Sequence, residues 1–403
     1  MPRSWLAGGL DHEPEERFYE DMRVLILGGD GYLGWATAMA FSRRGFEVAV
    51  LDNYFRRRAS LELNREPLFP LPSLPQRAAL WQALSGCPLE VHIGDVCDYP
   101  FLLSVMKNFA PEAVVHYAEQ PAAPYSMLGH KEAVFTITNN LVSTANLIYA
   151  VKEHDIKCHI VKLGTMGVYG TPNIDIEEGY LEVDYKGRRH KFLYPKTPGS
   201  LYHLTKAQDG DLLYFYCRMW GMRVTDLNQG PVYGIDTEES REDVRLAPIF
   251  NYDDIFGTVL NRFLVQAVAG VPLTVYGEGG QTRGYLNIID TIACVALALR
   301  HPAAAGEYRV FNQFVETLAV NDLAARVQAA GAQLGLPVEI KKIPNPRLEA
   351  EEHYYNPTHT GLLSLGLKPH YLTEDVLVAM LKKIIKHKDA INKDLIYPQV
   401  KWK

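Results

Sequence analysis

The chain has 403 residues, 47% hydrophobic and 22% charged, the balance of a globular protein with a sizeable core rather than of a disordered or fibrous one. A formal net charge of −6 argues against a nucleic-acid binder, which usually carries a basic face. Five scattered cysteines (Cys87, Cys97, Cys158, Cys217, Cys294) offer no CxxC pair for a metal or redox site and suit a reducing compartment, and no apolar run reaches the roughly 18–20 residues needed to span a bilayer.

Residues 1–21 read as an N-terminal extension, with a short apolar patch followed by acidic residues. They resemble neither a secretory signal nor a transit peptide, so the expected location is the cytoplasm. Ordered elements begin at Met22. Residues 23–27 are a short apolar run ending in glycine, as a buried parallel strand reads, 35–44 an amphipathic helix closed by Gly45, and 47–51 a second strand ending in Asp52. Strand, helix and strand within about thirty residues make a βαβ unit.

The alternation continues with strands at 89–93, 113–116, 158–163 and 223–227 and helices at 99–109 and 139–153. This predicts an α/β fold: a Rossmann-type, doubly wound parallel sheet with helices on both faces. After Gly234 the chain becomes charged, then broken by prolines and glycines. The expected division is a cofactor domain over 22–234 and a smaller, mostly α substrate domain over 235–403, interleaved with it.

Glycines at 28, 31 and 34 form a GxxGxxG turn between the first strand and the first helix. Such a turn lets the backbone approach a pyrophosphate, which the helix N-terminus then holds. Asp52, about twenty residues on, would accept the adenosine ribose hydroxyls and repel a 2′-phosphate, favouring NAD over NADP. The arginines at 56–58 pull the other way. The cofactor set read from this unit is Gly28, Asp30, Gly31, Tyr32 and Gly34, with Asp52, Asn53 and Arg56 after the second strand. Asp95 and Val96 follow the third strand, and Tyr202 and Lys206 complete the set.

Tyr202 and Lys206 are spaced i and i+4, so on a helix they share a face. The lysine can favour a phenolate and hold the nicotinamide ribose, and the phenolate can take a proton from a sugar hydroxyl as hydride leaves. Thr165, at the end of a strand some 37 residues upstream, would donate to the same oxygen. Asn228 follows a strand and Arg283 sits in a Gly-rich loop, where an amide and a guanidinium fork could reach a diphosphate.

With these features in place, the chain from Met22 onward resembles the UDP-sulfoquinovose synthase family. The matching blocks lie at 28–32, 123–127, 169–180, 225–230, 273–277, 280–286, 310–314, 344–347 and 349–356. The resemblance implies UDP-glucose and sulfite as substrates and NAD as a cofactor regenerated in each turnover. It implies C4 oxidation by Tyr202 with Thr165 and Lys206, then loss of water across C5–C6 and sulfite addition at C6, with His203 carrying protons at C5 or C6. It also implies a sugar-nucleotide pocket drawn from Gln120, Tyr125, Met166, Asn228, Gln229, Thr274, Tyr276, Gln281, Arg283, Arg347 and Glu349, and no metal.

Two positions depart from the family pattern: Val168 stands in place of a glutamate and Pro121 in place of an arginine. Met166 and Gly167 occupy the places where 4,6-dehydratases carry Asp and Glu. The alternatives are a 4-epimerase or dehydratase/epimerase acting on another nucleotide sugar, and a non-catalytic NAD-binding regulator. Enzymes of this type pair through two long helices, here expected at 131–153 and 202–219, so a homodimer is expected.

Overall fold

A computed structural model describes residues 22–345 and 354–397. Its centre is a seven-stranded parallel sheet. The strands β1 (Arg23–Leu27), β2 (Glu47–Asp52), β3 (Glu90–Ile93), β4 (Ala113–His116) and β5 (His159–Thr165) are joined by Arg223–Gln229 and Tyr308–Gln313. Across the sheet the order is β3, β2, β1, β4, β5, Arg223–Gln229, Tyr308–Gln313. The direction of winding reverses between β1 and β4, and a crevice opens there at the carboxyl ends of the strands. Register keeps those ends level: Leu27 pairs with Leu51 and with His116, and Thr165 with Gln229.

Because helices cover both faces, these strands are apolar throughout rather than alternating, and Val24, Leu25, Ile26 and Leu27 are all fully buried. One face packs on the helix α1 (Tyr32–Arg43), whose Ala36, Ala38 and Ala40 allow close approach. Trp35 in that helix donates from its indole N–H to Leu246 O at 2.9 Å, with the Arg77 guanidinium 4.2 Å above its ring. The other face packs on Tyr99–Phe109, His130–His154 and Leu201–Trp220.

A second core forms from Val259–Ala269, Val320–Gln333 and Glu374–Ile385 around Phe263, Leu323 and Leu381. Leu68 and Phe69, from the first half of the chain, plug into it. The chain then returns to the sheet through helix Ile288–Arg300 and the edge strand Tyr308–Gln313, so both segments beyond 234 belong structurally with the cofactor half. Two further pieces differ from the sequence expectation. The helix expected at 139–153 begins nine residues earlier, at His130. Residues 180–193 form an exposed antiparallel hairpin of Tyr180–Tyr185 and Arg188–Leu193.

Candidate active site

The crevice is a cavity of about 880 Å³ between the strand ends and the second core. At its floor, Gly28 and Gly29 donate to Leu51 O at 2.8 and 3.1 Å, folding the turn back onto β2. Gly28 adopts φ 86°, and a Cβ there would meet Tyr117 C at 2.8 Å. A Cβ on Gly34 would strike the Gly28 carbonyl at 2.0 Å. Gly31 caps α1 without any side chain over the helix N-terminus. The residues present therefore fit a dinucleotide pyrophosphate, which needs close backbone approach and open N–H groups. Tyr32 donates to Gly234 O at 2.7 Å, tying this turn to the start of the later segment.

Asp52 accepts from Asp30 N at 2.9 Å and Tyr54 N at 2.6 Å. Burial, followed by the neighbouring Asp30 carboxylate, pushes its carboxyl up to about 6. Asn53 donates to Asp95 at 2.9 Å, and Gly28, Gly31, Gly34, Asp52, Asn53, Asp95 and Val96 all border the cavity.

Asp30 does not border it. Its carboxylate is buried and taken by Arg57, Nε to Oδ2 at 2.5 Å and Nη2 to Oδ1 at 2.6 Å, and by Arg77 at 3.3 Å. Arg57 is thus fully engaged, Arg58 donates to Asn53 O, and Arg56 points across to Asn251 Oδ1 at 3.0 Å and lies over the Phe256 ring. Arg57 and Arg58 are thus committed to protein partners, while Arg56 and Asp52 both border the cavity.

Thr165 ends β5, and its side chain caps the tight turn Met166–Tyr169, accepting from Gly167 N at 3.2 Å. Tyr202 lies one residue inside helix Leu201–Trp220, where its backbone N–H donates to Ser126 Oγ at 3.1 Å and its phenol hydrogen-bonds with Thr165. Burial, then Glu119, pushes the phenol's pKa well up, and Lys162 and the Thr165 hydrogen bond pull against them.

Lys206, one turn on, donates to Leu163 O at 2.5 Å and pairs with Glu119 Oε2 at 2.7 Å. It sits beneath the cavity floor, not on its wall. His203 borders the cavity beside Tyr202, ring centroids 5.0 Å apart, with Nδ1 3.0 Å from Ser200 Oγ. Its Nε2 lies 2.3 Å from where a Cβ on Gly167 would stand. The imidazole therefore occupies the volume that an acidic side chain at position 167 would claim.

Of the expected sugar-nucleotide residues, Met166, Gln229, Tyr276, Gln281 and Arg283 line the cavity. Gln281 is buried there, and both its amide atoms have no hydrogen-bond partner among the described residues. Four others have structural duties instead. Gln120 is fully buried and bonds Ala122 O and Thr136, so it shapes the loop behind the wall. Tyr125 packs between Phe55, Phe135 and Phe256. Asn228 donates to Tyr169 OH at 2.8 Å off the main cavity, and Thr274 is held by Gln266. Arg347 and Glu349 lie outside the described residues.

Of the two departures from the family pattern, Pro121 borders the cavity. Val168 is buried in a separate apolar cluster with Tyr169, Ile176 and Tyr194. Sequence reasoning did not single out Arg262, whose Nη1 donates to Tyr276 OH at 3.3 Å on the same wall, nor Asn345 and Tyr355. Nor did it single out Glu119. An i+3 or i+4 search from Tyr202 could not find Glu119 or Arg262, because both arrive from other elements.

Residues 24–312 match the NAD dependent epimerase/dehydratase family. The chain is 51% identical to the chloroplastic UDP-sulfoquinovose synthase of Spinacia oleracea over 94% of its own length and 79% of the relative's. It is 45% identical to the UDP-sulfoquinovose synthase of Sulfolobus acidocaldarius over 95% and 98%. The fold is shared with the UDP-glucose 4-epimerase of Bifidobacterium longum, solved with NAD⁺ and UDP (TM-score 0.69, 19% identity, 92% and 100% covered). Among the described residues no helix is long and apolar enough to cross a membrane. The glycine turn, the Thr165, Tyr202 and Lys206 set and a likeness spanning nearly the whole chain converge: this is an NAD-dependent enzyme of the epimerase/dehydratase family and belongs, within it, to the UDP-sulfoquinovose synthases.

Proposed function

We propose that the protein makes UDP-sulfoquinovose from UDP-glucose and sulfite. The observation that carries this reading is the His203 ring seated over Gly167 beside Tyr202, a proton carrier where other dehydratases of the fold use a carboxyl. When bound, NAD supplies the hydride acceptor for C4, a positive charge beside Tyr202, and the hydride returned at the end.

Tyr202, oriented by Thr165, takes the C4 hydroxyl proton. The 4-ketone so formed acidifies the C5 proton, which His203 removes and passes to the departing C6 hydroxyl, releasing water. Bisulfite sulfur then bonds to C6 of the enone, the bisulfite proton passes by way of His203 to C5 of the enolate, and Tyr202 returns its proton to the C4 oxygen as hydride comes back. The sum exchanges a C6–O bond for a C6–S bond with no net redox change. Lys206 acts from below by fixing the Leu163 carbonyl at the strand end and the Glu119 side chain. Arg262, Arg283 and Gln281 meet the diphosphate and uracil.

A second reading, 4-epimerisation or dehydration with epimerisation on another nucleotide sugar, is favoured by Pro121, which leaves that stretch of cavity wall without the family's arginine. Incubation of the purified enzyme with UDP-glucose, with and without sulfite, separates the two by product mass. A sulfonated product that requires sulfite supports the first, and an isomer of unchanged mass or an unsulfonated dehydration product refutes it.

The same reading takes the protein as a homodimer pairing through His130–His154 and Leu201–Trp220, whose outer sides expose Val134, Ile137, Tyr149, Phe215 and Met219. It places the protein in the cytoplasm, where the free thiols of Cys87 and Cys97 stay reduced.

A further inference from the structure

Beneath Tyr202 lies a buried cluster of ionisable groups, of which Glu119 also borders the cavity. Lys162 on β5 pairs with Asp226 at 3.3 Å and donates to Lys206 O at 3.2 Å. Tyr308 donates to Asp226 at 2.5 Å. Lys206 pairs with Glu119 at 2.7 Å, and His116 approaches Glu119 at 3.6 Å. The remaining member is Asp209, on the face of the helix that carries Lys206 three residues earlier and Tyr202 seven earlier. It is fully buried, makes no ion pair among the described residues, and has no hydrogen-bond donor for either oxygen.

A buried carboxylate with neither cation nor donor is strongly disfavoured, so charge must be settled within the cluster. The two cations, Lys162 and Lys206, face three carboxyls: Asp226, Glu119 and Asp209. Burial leaves His116 neutral, its pKa pushed down to about 4, so it adds no third cation. One proton on the carboxyl set brings the balance to zero. Asp209 is the member without a cation and lies in hydrogen-bonding contact with Glu119, so the proton belongs between those two.

We propose that Asp209 is a protonated positioning residue that donates its proton to Glu119, so that Glu119 is held against Lys206 and the lysine is fixed beneath Tyr202. The inference rests on the proton-transfer role assigned to Tyr202 above. Burial first, and Glu119 second, push the Asp209 carboxyl far up, whereas burial of Glu119 is outweighed by the Lys206 and Lys162 charges, which hold it below its ordinary value. The groups that face Tyr202 are then Glu119 as an anion, Lys162 as a cation, Asp209 as a neutral acid and the Thr165 hydroxyl.

The test uses NAD-loaded enzyme and follows, against pH, the rate at which UDP-glucose reduces the bound cofactor. Glu119→Gln removes the anion beside the phenol and is expected to move the acid limb down by about one unit. Asp209→Leu removes the donor and is expected to slow the reaction roughly tenfold or more and to raise the limb. Asp209→Asn, which still donates, is expected to restore both toward wild type.

A downward shift in Asp209→Asn as large as that in Glu119→Gln would mean that Asp209 carries a negative charge and would overturn the proposal. So would an unaltered limb and rate in Asp209→Leu. Infrared spectroscopy of the wild-type holoenzyme gives a readout independent of turnover. A protonated-carboxyl C=O band should persist at about pH 8 and disappear in Asp209→Asn, and its absence in wild type overturns the assignment. If the band behaves as expected but Tyr202→Phe still reduces the cofactor at the wild-type rate, the reaction assigned to Tyr202 fails and the carboxyl pair stands.

Discussion

Replacing Gly167 by alanine adds one carbon where the structure has no room for it. The new Cβ would lie 2.3 Å from Cδ2 and Nε2 of His203, while ordinary contact starts at 3.4 Å, so the ring must retreat by about 1 Å. It cannot do so freely, because Nδ1 is held at 3.0 Å by Ser200 Oγ, which also caps the helix by accepting from His203 N at 3.2 Å. Gly167 itself does not sit at positive φ, so the alanine brings no backbone strain and the effect falls on the imidazole. A displacement of about 1 Å in a proton-transferring group costs on the order of 10²-fold.

Tyr202 and Thr165 meet each other without touching that carbon, so cofactor reduction by UDP-glucose should stay within a fewfold of wild type. Exchange of the C5 proton with deuterated water and formation of sulfonated product should each fall about a hundredfold. Rapid-mixing absorbance measures the first, and mass spectrometry the other two. Wild-type rates of C5 exchange and sulfonation in Gly167→Ala would refute the role given to His203, and equal loss of all three signals would show that the histidine serves C4 oxidation instead.

Three further outcomes are expected. Tyr202→Phe should lower turnover by about 10²–10⁴-fold while bound NAD, measured after denaturing release, stays at the wild-type ratio; near-normal turnover would remove Tyr202 from the chemistry. Arg262→Leu should raise KM for the nucleotide sugar at least about tenfold with a smaller change in kcat, as loss of a charge-assisted contact does, and an unchanged KM would place the diphosphate elsewhere.

The third concerns Asp52. Its carboxyl is raised to about 6 in the folded cofactor-free protein, against 3.8 unperturbed. Between those values the native state binds the extra proton, so stability is fullest below about pH 4 and falls as pH rises through 6. Urea denaturation across that window should show wild type losing about 2–3 kcal/mol more than Asp52→Asn. A parallel pH dependence in the two proteins would contradict the raised value.

Much of the site could be read along the chain because its chemistry is local in sequence. The glycine turn, Asp52 and the Tyr202–Lys206 pair are each set by spacing within one element or one βαβ unit, and a spacing of four on a helix fixes a shared face whatever the fold. The parallel sheet was equally legible, since strands buried on both faces must be apolar throughout. Spacing could not tell which side chains of a matching block reach the cavity. Tyr125, Asn228 and Thr274 sit in such blocks, and Gln120 just before one, yet they turn into loop, ring and strand contacts, because adjacent residues of a strand or turn point to opposite sides.

The return of Tyr308–Gln313 to the sheet edge was likewise hidden, since its partner, Arg223–Gln229, lies some eighty residues upstream. Tertiary structure alone decided three things: that Asp30 disarms Arg57, that His203 fills the space left by Gly167, and that Glu119 and Asp209 meet under Lys206. Each depends on groups from separate elements meeting out of water, where an unpaired charge is too costly to leave. A glycine turn can be recognised by its own residues, but the partner of a buried charge is known only when the chain has closed around it.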